Sequence, residues 1–147
     1  MAVSCIHFFR FPPYAHIDVR FNPISRTDFH RNIFDVIYDD EKPTTDLVKP
    51  HELAIFFAIL AIGLIWSTDP SASLVRDQYD YLARAAFSLA PIAISVTTTT
   101  VQALFCINRF LNHGRRTVHE ECWLLHGLNA RIAQMVNTVN TQNSMSS

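Results

Sequence analysis

Apolar positions along the chain fall into blocks separated by short polar or proline-containing breaks, and their spacing predicts helices. Residues 1–24 hold Pro12, Pro13 and Pro23 and read as an irregular N-terminal segment. Phe29, Ile33, Phe34 and Ile37 then lie on one face of a first helix, with Ser25 and Asp28 as its capping pair. After the charged linker DDEKPTTD, a second helix starts near Pro50, whose fixed φ suits a first turn. Leu53 to Trp66 is apolar nearly all round, so this helix should sit between other helices. Asp69 as N-cap and Pro70 at the first position open a third helix. Its stripe is Leu74, Gln78, Tyr81, Leu82, Ala85 and Leu89, and Pro91 stops it. The threonines before Val101 cap a fourth helix that packs through Val101, Leu104, Phe105 and Leu111 and ends at Gly114. Thr117 and Glu120 form a capping box for a fifth, from Val118 to about Val136, with Leu124, Leu128, Ile132 and Met135 on one face. The polar residues 137–147 read as a disordered tail. The expected fold is all-α, about five helices in antiparallel hairpins.

The apolar block 51–66 poses a membrane question. At about 1.5 Å per residue, Leu53–Trp66 spans about 21 Å, short of the ~30 Å hydrocarbon core. The second apolar region, 82–107, contains Arg84, Pro91 and a run of threonines, which makes it a poor span. A small membrane-associated helical protein using 51–66 and 82–107 is therefore the runner-up, and a buried core helix is the preferred reading. The start of the chain lacks the basic region of a secretory signal.

Composition narrows the function. A net charge of −1 over 147 residues, with scattered basic residues, is unlike a domain built to grip phosphates. The three cysteines, Cys5, Cys106 and Cys122, are too few and too far apart for a disulfide framework, and fit a reducing compartment.

Candidate chemistry is sparse. His119, Cys122 and His126 fall near one face of the fifth helix and are zinc-ligand types, yet a structural site needs four ligands and no fourth is evident. His51-Glu52 starts like a metalloprotease helix but Ile55 stands where the second histidine belongs. Cys106 reads as a buried inert thiol. Arg84 and Arg131, on otherwise apolar helices, suit pairing with a carboxylate such as Asp77 or Asp80, or with helix ends. No catalytic residue or cofactor site is expected.

The segments from HELAIFFAILAIGLIWSTDP through YDYLARAAFSLAP and TTTTVQALFCINRFLNHGRR to CWLLHGLNARIAQMV, in that order, resemble the fungal-specific transcription factor domain. This is the middle homology, or xylanolytic-activator regulatory, region of zinc binuclear cluster regulators. Matching positions are Tyr81, Ala83 and Arg84, then Thr100, Val101, Gln102, Ala103 and Leu104, then Trp123, Gly127, Arg131 and Ala133. The resemblance covers about residues 25–136. It implies an all-α regulatory module of nuclear transcription factors, acting through intramolecular contacts, protein partners or dimerisation, or small inducers, and meeting nucleic acid only indirectly. The family's six-cysteine zinc cluster cannot be built from three distant cysteines, so no zinc cofactor is expected in this chain. The family's GLHRD sequence, due after RIAQMV, is replaced by NTVN. The chain thus resembles the first part of such a domain, a truncated one, and helices two and five are expected to keep uncovered apolar faces.

Overall fold

The computed structural model describes residues 23–38, 48–92, 96–114 and 119–145, and every element among them is helical. Helix α1 is made of Arg26–Phe29, a π-helical turn His30–Phe34 and Asp35–Tyr38. Helix α2, Pro50–Gly63, tightens into a 3₁₀ turn, Leu64–Trp66. Helices α3, Ala72–Ser88, α4, Thr98–Gly114, and α5, His119–Met145, complete the five. The expected all-α architecture is the observed one.

The starts of the helices follow local chemistry. The Ser25 hydroxyl accepts the Asp28 N–H at 3.0 Å and caps α1. At α2 the Glu52 carboxylate reaches back to the Lys49 N–H at 3.1 Å, with Pro50 in the first turn. Helix α3 begins at Ala72, later than expected, because Pro70 and Ser71 form a turn first. Asp69 still acts as the capping carboxylate, taking the Ser71 N–H at 2.9 Å and its hydroxyl at 2.8 Å. These bonds hold the exposed Asp69 carboxyl below its ordinary pKa. Thr97 Oγ1 accepts the Thr100 N–H at α4. The capping box at Thr117 lies outside the described residues. Helix α5 continues to Met145 instead of giving way to a disordered tail after Val136. Its hydroxyls bond back to the helix: Thr138 to Gln134 O and Thr141 to Asn137 O, both at 2.9 Å.

Helix α2 is the centre. It packs most extensively on α3, then on α4, and touches α1, while α5 lies on α4. Ala54, Ile55, Ala58, Ile59, Ala61 and Ile62 are all buried in one cluster. The length and flanks of 51–66 had favoured a core helix, and among the described residues no helix is long and apolar enough to cross a membrane. The α2 surface is covered by protein.

Two expected apolar stripes point the other way. Leu74, Tyr81, Leu82 and Leu89 of α3 are exposed, and α3 meets α2 through Ala83 and Ala86. Ala83 and Ala86 lie at the buried centre of this contact, and Tyr79 and Phe87 pack beside them, on Phe57 and His51 of α2. In α5 only Ile132 of the predicted stripe is buried, with Cys122 and Asn129 beside it on the inner face. The uncovered faces thus belong to α3 and α5; the expectation of an uncovered helix two is corrected, because α3 and α4 cover it.

Candidate docking face and its polar ties

Arg84 binds two carboxylates. Its Nε meets the Asp80 oxygens at 3.3 and 3.2 Å, one turn back on α3, and its Nη1 donates to Glu121 Oε1 on α5. Asp80 is only 2% exposed, and the Arg84 guanidinium gives this buried carboxyl its partner. Burial alone would lower the Arg84 pKa; Glu121 and Asp80 outweigh it and the net direction is upward. This fork ties α5 to α3. Asp77, the other expected partner, instead pairs with Arg76 at 3.3 Å. Glu121 was not legible beforehand, since it lies far from Arg84 in sequence.

Gln102 makes a second tie, donating from Nε2 to the Pro23 carbonyl at 2.9 Å and holding the entry to α1 against α4. His51 makes a third. Its Nε2 lies 3.2 Å from the Ala90 carbonyl, which only accepts, so this nitrogen carries a proton. Its Nδ1 is 3.0 Å from the buried Thr100 hydroxyl, and its ring packs on Phe87. One imidazole thereby joins the start of α2, the end of α3 and the start of α4. The signal was a polar residue beside Pro50 at the head of an apolar run. Asn108, wholly buried on α4, has no partner for its side-chain amide among the described residues.

The other singled-out positions face solvent. Tyr81 is 72% exposed and Trp123 79%, and Arg131 and Gly127 are exposed as well. A Cβ at Gly127 would meet nothing within 4 Å. Leu74, Asp77, Gln78, Tyr81 and Leu82 line a shallow open depression on α3. Trp123, Leu124, Leu128 and Met135 cover the outer face of α5. Arg131 takes part in no ion pair among the described residues, so the expected carboxylate partner is found for Arg84 and not for Arg131. Single exposed leucines are ordinary, but several exposed apolar side chains on each of α3 and α5 make these surfaces candidates for docking.

The family model described as the fungal specific transcription factor domain matches residues 7–145. The chain belongs to this family. The match runs beyond both ends of the 25–136 stretch that carries the resemblance. A search of the curated proteins and a search of the solved structures each found no match. The family is non-enzymatic and its role is in transcription regulation.

Within this transcription factor domain the described cysteines are core residues. Burial pushes the Cys106 thiol up to about 12, against the opposing effect of Arg109. Cys122 is raised too, by burial and then by Glu121. Two buried cysteines, on different helices, are too few ligands for the family's six-cysteine zinc cluster. Of the expected ligand trio, Cys122 faces inward and His126 is exposed, 3.1 Å from Asn112 Nδ2; the side chain of His119 lies outside the described residues. Among the described residues no group of three metal-binding side chains comes together.

Proposed function

We propose that this chain is a regulatory interaction module of a nuclear transcription regulator, working by protein contacts made through the outer faces of α3 and α5. The observation that carries this reading is the exposed apolar side chains around Tyr81 on α3 and around Trp123 on α5, on a domain whose net charge is −1. Such a surface suits protein contact, whereas phosphate binding needs a basic one. Contact with DNA is then indirect. The helices of residues 25–136, extended by the rest of α5, form the module. Arg84 and Gln102 set helix positions, and Tyr81, Trp123, Gly127 and Arg131 present the contact surface.

The test is a reporter assay with the chain fused to an unrelated DNA-binding domain in fungal nuclei. The fusion is expected to change reporter output, and Tyr81→Asp with Trp123→Asp to abolish the change while the helical melt is kept. A reporter indifferent to the fusion, or to both substitutions, overturns the reading.

A further inference from the structure

The outer face of α5 has an internal symmetry. Glu120 and Arg131 are eleven residues apart; at about 100° per residue they return to within about 20° of one another on the helix. Between them on that face lie Trp123, Leu124, Gly127 and Leu128. Glu120 and Arg131 mirror one another about the Leu125–His126 peptide bond, acid against base, while Leu124 and Leu128 share one edge of the face and Trp123 and Gly127 the other. A Cβ at Gly127 would stand in open space. Neither Glu120 nor Arg131 takes part in an ion pair among the described residues.

We propose that this face of α5 pairs antiparallel with the same face of a second copy of the chain. The inference rests on reading the face as a docking surface and names its partner. A two-fold contact brings residue i to residue j and j to i, so an acid and a base at mirrored positions meet twice. Glu120 of one copy meets Arg131 of the other at both ends of the crossing. Leu124 packs on Leu128 of the second copy along one edge. The Trp123 indole lies over the second copy's Gly127 along the other edge, where a side chain would hold the helices apart. A parallel pairing instead sets Arg131 against Arg131 and Glu120 against Glu120, which disfavours it. One helix face per copy is a small interface, below ~1,200 Å² in total, and makes a weak, concentration-dependent dimer.

The test is sedimentation equilibrium of the full chain over a range of concentrations, with thermal melts of each variant. Wild type is expected to move from monomer to dimer. Glu120→Arg alone and Arg131→Glu alone each turn two attractions into two repulsions and raise the dimer Kd roughly tenfold. The combined Glu120→Arg and Arg131→Glu exchange restores it, a recovery that only mirrored contact produces. Gly127→Leu separates folding from pairing, since a Cβ there meets nothing within 4 Å in the monomer and the position is exposed: its melt is kept or raised while the dimer is lost. A chain that is monomeric throughout, its face taken by some other occupant, overturns the proposal. So does a dimer that the exchange does not rescue. Either result leaves the reporter test, which reads the face whatever its partner, free to succeed or fail by itself.

Discussion

Helices α2 and α5 show two ways of using a helix surface. Almost every side of α2 is packed, with Ala54, Ile55, Ala58 and Ala61 wholly enclosed by α3 and α4. Helix α5 is nearly twice as long, yet among its described residues only Cys122, Asn129 and Ile132 are buried. Its outer face carries a larger hydrophobic side chain, Trp123, than anything α2 holds in its fully buried set. Side-chain apolarity therefore does not measure contribution to the core. Small residues at α2–α3 allow close approach and dense packing, while the largest apolar side chains on α5 remain available for contact.

Core truncation should give the largest effects. Phe110→Ala, at a fully buried position beneath α2, should cost about 3–5 kcal/mol in urea unfolding, and Ile55→Ala about 2–5 kcal/mol. Trp123→Ala should stay within about 0.5 kcal/mol of wild type in the same assay. Equal losses at Phe110 and Trp123 would erase the contrast between the two helices.

The Arg84 fork comes next. Arg84→Ala strands the buried Asp80 and frees Glu121, and should cost roughly 2 kcal/mol, below the range for a fully buried pair because the Arg84 side chain is 32% exposed. Hydrogen exchange should speed up in the first turns of α5 and change little in α2. Uniform faster exchange would show that α5 is not separately held.

Alkaline pH tests the core from another side. The native Cys106 pKa lies above its unfolded value of 9.0, so its contribution to stability is complete below pH 9.0 and is lost as pH rises toward about 12. Wild type should lose stability between pH 9 and 10 by up to about 1.4 kcal/mol more than Cys106→Ala does. Parallel pH profiles would place Cys106 outside the core.

The smallest effect is a gain. Gly127→Ala removes a helix-interior glycine into open space and should raise stability by about 0.5–1 kcal/mol, read as a higher melting temperature. A loss would mean that the outer face of α5 is already occupied in the monomer.

The helices and most of their starts were legible because capping residues, prolines and apolar periodicity act within a few residues. Ser25, Pro50 and Asp69 each mark a start through bonds to their own neighbours. Which face turns inward was not legible for α3 and α5. Leu74, Tyr81, Leu82 and Leu89 have the spacing of a core stripe, and periodicity cannot say that α2 instead packs on Tyr79, Ala83, Ala86 and Phe87. The fork of Arg84 and the tie at His51 were hidden for a related reason, as their partners Glu121 and Thr100 lie far along the chain.

The chain by itself thus determined that it is helical, that most of Leu53–Trp66, though not the exposed Trp66, belongs in a core and that its motifs are those of the fungal transcription factor domain. These follow from local bonding, length and residue order. Only the tertiary structure decided that alanines face α2 while Tyr81 and Trp123 face solvent. That choice depends on the volume left between helices already in place, a quantity that exists only once they pack together.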